Sequence, residues 1–290
     1  MTFDIKLYKQ KLVDILSAFD AFCKCNNLRY TLYGGTLLGA VRHGGIIPWD
    51  DDIDVLMPRP DYERFLLLTQ NGIGEKYKVL NPFQSKFYYL GFAKVIDIDT
   101  TLIEYADFKD TVMGAYIDVF CLDATPTCKE ESDKICRAYK SQIEEVRSIC
   151  ATPRFIDLFK RDQTGRRVLG IKSYSRNLLR HKTVNTSLLI KKADDYINCM
   201  EYDSAKYVRI YGSIFHSKHI FPKEWFESYE SITFEGKQFM TIKEWDKWLT
   251  VMFKDYMTPP PPEKQIPHHE HYFIDLERGL SLKQVRALGY

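Results

Sequence analysis

Long apolar runs are missing from this chain. No stretch approaches the roughly 20 residues that a bilayer span needs, and the amino terminus is a charged amphipathic segment without the apolar core of a signal peptide. The reading that follows is a cytoplasmic protein, at most peripheral at the inner face of a membrane. An excess of charge of either sign is missing too: 41 basic residues against 39 acidic ones leave a net charge of +2, which argues against a dominant nucleic-acid surface. Cysteine is sparse and irregular, with seven residues, an odd number, and no CxxC pair, so neither a disulfide framework nor a zinc cluster is expected. Internal repeats and low-complexity tracts are absent. The one biased segment is Pro259-Pro260-Pro261-Pro262, which must be extended and marks the start of a tail.

What is present is a globular composition, 45% apolar and 14% aromatic over 290 residues, long enough to bury a full core. Ile5, Tyr8, Leu12, Ile15, Leu16, Phe19 and Phe22 recur at helical spacing and predict an opening amphipathic helix that ends near Asn26-Asn27. A short strand is expected over Arg29–Tyr33, then a break at Gly34-Gly35, with Thr36 as N-cap of one or two helical turns over Leu37–Val41. Ile53–Met57 alternates as a strand, Pro58 and Pro60 stop it, and Asp61–Thr69 reads as a helix. Further strands are expected at Tyr77–Leu80, Tyr88–Ile96, Thr101–Tyr105 and Tyr116–Phe120. From about Thr127 to Met200 the pattern turns helical. Tyr207–Tyr211 then reads as a strand, Ile232–Ile242 as a hairpin around Glu235-Gly236, and Trp245, Leu249 and Phe253 as a closing helix. The expected class is α/β (α+β), a mixed sheet flanked by helices with a helical second lobe. The expected division is a core over 1–126, a helical lobe over 127–205 and a mixed segment over 206–290 that packs back on the core.

The run Trp49-Asp50-Asp51-Asp52-Ile53-Asp54-Val55 places four carboxylates in five residues against apolar neighbours. Such charges repel one another unless a cation holds them. In an extended chain residues i and i+2 share a face, so Asp50, Asp52 and Asp54 are expected to converge while Asp51 points away. Asp118, set in the otherwise apolar run Tyr116–Phe120, is a candidate third carboxylate from a neighbouring strand; the alternative is a buried, hydrogen-bonded aspartate. Together these oxygens suit Mg²⁺ or Mn²⁺, with Asp50, Asp52, Asp54 and Asp118 as ligands and Asp52, Asp54 and Asp118 as the catalytic carboxylates of a metal-dependent phosphoryl transfer. Gly34, Gly35 and Thr36 read as a phosphate cradle at a helix N-terminus. Arg42, His43 and, more distantly, Lys94 are candidates to contact the donor phosphate, and the Gly44-Gly45 turn between them and the acids suits the same role.

Other readings of the same residues fail or stay open. Asp50, Asp52 and Asp54 match the first ligands of a calcium loop, but Val55 stands where that loop needs glycine and Asp61 where it needs glutamate. His268-His269-x-His271 looks like a metal tract, yet in a proline-led tail it reads as solvated or at the edge of a substrate. The basic run Lys160, Arg161, Arg166, Arg167, Lys172, Arg176, Arg180, Lys182 is a solvated helical face or a contact for an anionic membrane surface or a phosphorylated glycan. Tyr33, Trp49 and Tyr88 either pack in the core or form a cation–π box. A nucleotide-sugar glycosyltransferase would use a DxD motif in the same way, and a catalytically inactive glycan-binding module would keep the fold.

The segment from Tyr33-Gly-Gly-Thr-Leu-Leu-Gly-Ala-Val-Arg-His-Gly-Gly-Ile-Ile-Pro-Trp to Asp50-Asp-Asp-Ile-Asp-Val closely resembles the signature of the LicD family, which includes bacterial phosphocholine transferases and fukutin-type transferases. Ile117-Asp118-Val119-Phe120 resembles that family's aspartate-bearing strand. Phe221–Phe226 and Asp255–Lys264 with His268-His269 resemble its carboxy-terminal blocks. The resemblance spans nearly the whole chain and is thinnest in the helical middle. It implies a nucleotidyltransferase-like core that moves a phosphoalcohol, phosphocholine by default, from a CDP-activated donor such as CDP-choline to a sugar hydroxyl of a cell-surface or lipid-linked glycan, releasing CMP. It also implies a glycine motif at Gly35 and Thr36, a metal motif at Asp50, Asp52 and Asp54, and a third carboxylate at Asp118.

Overall fold

The structure is a computed structural model that describes residues 4–84, 88–105, 108, 111–151, 171–198, 200–213, 219–267, 269 and 271–290. Helix α1 (Ile5–Cys25) is capped by the Asp4 carboxylate, which accepts from the amides of Lys6 and Leu7. Its stripe of Tyr8, Leu12, Ile15, Leu16, Phe19 and Cys23 is buried against strands β4 (Ala93–Asp97) and β6 (Tyr116–Thr125). The central sheet runs β1 (Thr31–Leu32), β2 (Asp54–Pro58), β6, β4, β3 (Tyr77–Leu80). Within it β2 and β6 are parallel while β1, β4 and β3 join antiparallel. Beyond the central pairing, the far half of β6 pairs with β7 (Tyr207–Arg209), which pairs with β8 (Phe221–Pro222). The chain is therefore a mixed α/β fold of the expected class. Its helices α2 (Gly34–His43), α3 (Arg59–Leu68), α4 (Lys129–Cys150), α5 (Ile171–Thr183), α6 (Thr186–Ile197), α7 (Trp245–Phe253) and α8 (Leu282–Ala287) surround two small sheets as well as the large one. Among the described residues no helix is long and apolar enough to cross a membrane.

Several boundaries move, each for a local reason. Strand β4 begins at Ala93 rather than Tyr88 because the preceding backbone is held by side chains: the Tyr139 hydroxyl donates to Gly91 O and the Tyr88 hydroxyl to Phe92 O. Strand β6 continues past Phe120 to Thr125. Its polar residues are satisfied inside, Asp123 by the Arg59 guanidinium and Thr125 by Ser132 and Tyr211, and so do not end the strand as they do in an apolar pattern. Helix α3 starts at Arg59, with Pro60 in its first turn, where a missing amide costs nothing. Thr36 is not an N-cap: α2 starts at Gly34 with Tyr33 in the capping position. The Lys160, Arg161, Arg166 and Arg167 part of the basic run lies outside the described residues, as do Cys199 and His268; Arg176, Arg180 and Lys182 fall on α5.

Two contacts fix the segment that leads into the acidic run. The hairpin of β9 (Tyr229–Phe234) and β10 (Lys237–Ile242) turns through Glu235 and Gly236, both with positive φ, 49° and 71°, the conformation of a two-residue turn that matches strand twist. Its Glu235 amide donates to Gly44 O at 2.9 Å and its carboxylate accepts from Ile46 N at 2.8 Å. A Cβ on Gly45 would collide with that carboxylate. The Gly44-Gly45 turn, read from sequence as facing a phosphate, thus faces an anion supplied by the chain itself. At the other end, the Thr36 hydroxyl accepts from the Asp54 amide at 2.8 Å and ties α2 to the first residue of β2.

Thr36→Val keeps the volume but leaves the Asp54 amide without that acceptor. Its expected effect is a loss of about 1–3 kcal/mol of unfolding free energy, measured by urea denaturation, with Thr36→Ser close to wild type. Equal stability of Thr36→Val and wild type would show that this bond does not hold α2 to the sheet.

Candidate active site

Sheet register builds the centre of the site. Asp54 on β2 pairs with Asp118 on β6, and Asp118 pairs with Lys94 on β4, so three charged side chains stand in one lateral row across adjacent strands. The Asp118 amide donates to Ile53 O at 2.8 Å and opens the parallel ladder at this level. Just before β2, Asp50, Asp51 and Asp52 each bring a carboxylate oxygen within 4.8 Å of the others. Of the sequence-predicted ligands, Asp54 and Asp118 stand side by side across β2 and β6, while Asp50 and Asp52 fall in the cluster just before β2. Asp51, expected to point away, joins them. Residues 50–53 are not yet strand, and pleat alternation begins only at Asp54, so the i, i+2 rule does not govern the run.

Within this row Lys94 is a buried countercharge. The Lys94 ammonium, 1% exposed, donates to Asp118 at 2.7 Å and to Glu104 at 3.3 Å and sits 3.3 Å from the centroid of the Tyr116 ring. The hydroxyls of Tyr89 and Tyr116 both donate to Glu104. Against the desolvation of burial, Lys94 and these hydroxyls hold Glu104 down to about 2. Lys94, read from sequence as a donor-phosphate contact, is therefore engaged below the site by two carboxylates rather than presented to a substrate. Glu104 was missed, although it carries the signal that singled out Asp118: one acid inside an apolar strand, Thr101–Tyr105.

Above the row sits the C-terminal segment. Strand β11 (Phe273–Asp275) pairs with β5 (Thr101–Ile103), and the Tyr272 amide donates to Ile103 O and Glu104 O. This brings His269 onto Asp51, with Nδ1 2.9 Å from Oδ1, and packs His271 edge-on against Tyr8 at 5.5 Å. His269 is therefore part of the carboxylate cluster and not a solvated tail residue. A cavity of about 340 Å³ opens beside it, lined by Lys9, Trp49, Asp50, Asp51, His269 and His271 among others. Lys9 donates to Ile47 O and Pro48 O at 3.2 and 2.9 Å and so braces the loop into the acids.

The remaining predicted residues sit around this centre. Gly34 takes a left-handed φ of 56°, and a Cβ on Gly35 would collide with the Asp50 carboxylate; the glycine pair lets the start of α2 approach an acid. Arg42 and His43 lie at the opposite end of α2, about 12 Å along its axis from Gly34 at 1.5 Å per residue. There Arg42 donates to Tyr256 O at 2.8 Å and His43 packs against Trp49. The structure does not bring these two residues to the carboxylates.

Burial and mutual repulsion set the charge states of the cluster. Burial and then repulsion from Asp52 push Asp50 up to about 8. Burial together with Asp52 and Asp118 pushes Asp54 well above the carboxylate range, and burial lifts Asp118 to about 6 in spite of Lys94. Carboxylates that resist ionisation in this way are relieved by a multivalent cation. Clustered hard oxygens are the donors that Mg²⁺ or Mn²⁺ take. Only with such an ion bound could these acids orient a phosphate ester, since on their own they repel its oxygens.

The profile described as LicD/FKTN/FKRP, nucleotidyltransferase domain, matches residues 27–143. The lipopolysaccharide cholinephosphotransferase LicD of Haemophilus influenzae is 32% identical over 272 residues, covering 91% of this chain and 96% of that protein. The ribitol 5-phosphate transferase FKRP of Homo sapiens is 68% identical over 28 residues, 10% of this chain and 6% of that protein. The mannosyltransferase regulator 4 of Saccharomyces cerevisiae is 30% identical over 129 residues, 42% of this chain and 10% of that protein.

The buried Glu104 generates a pH prediction. Its folded pKa of about 2 lies below its ordinary value of 4.5, so the stability it contributes is full above the unfolded value and is lost as pH falls through the folded one. Wild type should exceed Glu104→Gln in unfolding free energy at pH 5, and that difference should shrink by about 2 kcal/mol by pH 3. Urea denaturation at both pH values checks it, and a difference that grows on acidification would refute the assignment.

Proposed function

The chain belongs to the LicD/FKTN/FKRP family, a family of phosphoalcohol transfer, and on that premise we propose that it moves a phosphoalcohol from a CDP-activated donor to a hydroxyl of a cell-surface glycan, releasing CMP. The observation that carries the reading is the lateral row of Asp54 and Asp118 on adjacent parallel strands, with Asp50, Asp51 and Asp52 at its mouth and a cavity of about 340 Å³ alongside. Phosphocholine is the preferred group, because the similarity that runs through 91% of the chain is to a cholinephosphotransferase. The acceptor is then a sugar hydroxyl of a capsule, teichoic acid or lipooligosaccharide, free or lipid-linked.

Asp50, Asp52, Asp54 and Asp118 would hold Mg²⁺ or Mn²⁺, which when bound would neutralise the phosphate oxygens and the leaving nucleotide. Lys94 keeps Asp118 charged and aligned from below through its 2.7 Å bond. Thr36 fixes the backbone at Asp54, and the glycine pair brings the start of α2 against Asp50, so that the acids are held before a substrate arrives. Pre-set charges of this kind need no reorganisation as charge develops on the transferred group.

Purified protein incubated with CDP-choline, CDP-ethanolamine, CDP-glycerol or CDP-ribitol, a crude surface-glycan acceptor and Mg²⁺ or Mn²⁺ should release CMP from one donor. Chelation should abolish the release, and Asp52→Asn should lower it by at least about 100-fold while leaving the melting temperature near wild type. Full activity in Asp52→Asn, or release of a nucleoside diphosphate from a sugar donor instead, would overturn the proposal.

A further inference from the structure

Both oxygens of Asp51 are taken by one residue. Oδ1 lies 2.9 Å from His269 Nδ1, and Oδ2 accepts from the His269 backbone amide at 3.3 Å. Asp51 is 4% exposed, and its partner is fixed from the far side: the segment carrying His269 runs straight into Tyr272 and β11, which are bonded to β5. In its neutral form an imidazole that gives its Nδ1 proton to a carboxylate carries its lone pair on Nε2, where a bound cation would take the place of a proton. That atom stands 3.9 Å from Asp52 Oδ2. The separation is too long for a hydrogen bond. It falls within the about 3 to 4 Å that separates two donors each about 2.1 Å from one ion. A carboxylate behind an imidazole whose other nitrogen faces an acid cluster is the usual arrangement of a histidine metal ligand and its orienting partner.

We propose that His269 supplies a nitrogen ligand, through Nε2, to the metal held by the carboxylate row, and that Asp51 serves to orient His269 rather than to bind the ion. The inference rests on the metal-dependent reading above and adds to it a preference. Imidazole beside carboxylates favours Mn²⁺ and later transition ions over Mg²⁺, a hard cation that keeps oxygen ligands. It also gives the C-terminal segment a role at the reaction centre. His271 is a different case: its ring packs on Tyr8, so it serves as the internal control.

Mn²⁺ titrated into the full chain, followed by electron paramagnetic resonance, tests the two readings separately. Saturable binding with electron spin-echo modulation from a histidine nitrogen is the expected result in wild type. That modulation should change on ¹⁵N-histidine labelling, vanish in His269→Gln and persist in His271→Gln. Asp51→Asn should raise the Mn²⁺ Kd by about 10-fold or more. Bound Mn²⁺ without histidine modulation, or modulation that survives in His269→Gln, would overturn the ligand assignment and leave the carboxylate site standing. An unchanged Kd in Asp51→Asn would overturn its orienting role. No saturable Mn²⁺ binding at all would sink the metal reading together with this one. The labelled wild-type spectrum decides the matter even if His269→Gln does not fold.

Discussion

Asp54 and Asp118 stand side by side on adjacent strands because β2 and β6 pair in parallel in one register, and the rest of the structure answers the repulsion this creates. A carboxylate moved out of water resists ionisation, and a second one beside it raises the cost further. Lys94 in the same cross-strand row supplies the compensating charge, and it is itself buried and needs a second acid. Glu104 is that acid, and the hydroxyls of Tyr89 and Tyr116 satisfy its remaining oxygen sites. The chain of requirements runs outward from one pair of aspartates through four further side chains. Lys94 and Glu104 offset one another on one side, while Asp50, Asp51 and Asp52 crowd together just before β2.

Much of this was legible in the sequence, and the reasons are local. The apolar frame of Asp118 and the density of acids after Trp49 both mark charges kept where burial is costly, which is a signal about function. The turn at Glu235-Gly236 and the helix at Trp245–Phe253 follow from turn chemistry and 3.6-residue spacing, which act over a few residues. What sequence reasoning missed is what tertiary pairing decides. Thr36 looks like a cap from its neighbours, but its hydroxyl is taken by the amide of Asp54, eighteen residues on. Lys94 reads as a contact for a donor phosphate, but the register places it opposite Asp118. Asp51 and His269 are 218 positions apart, and no local pattern joins them. Arg42 stands in sequence between Gly34-Gly35 and the acids, while in space it lies at the far end of α2 and donates to Tyr256 O, 214 positions on.

The Asp51 contact also bears on when the site comes into being. Closing a loop of that length is entropically costly, and the cost is met only once other contacts have brought the ends near. Here those contacts are the pairing of β11 with β5 and the bonds of the Tyr272 amide to Ile103 O and Glu104 O. The carboxylate row needs only β2, β4 and β6, which lie within the first 125 residues, whereas its covering imidazole arrives from the end of the chain. A core without the tail would hold the acids and their Lys94 countercharge but leave Asp51 without its partner and the cavity without its far wall. The two halves of the site thus have different physical origins, one in the register of a sheet and the other in the docking of a distant segment.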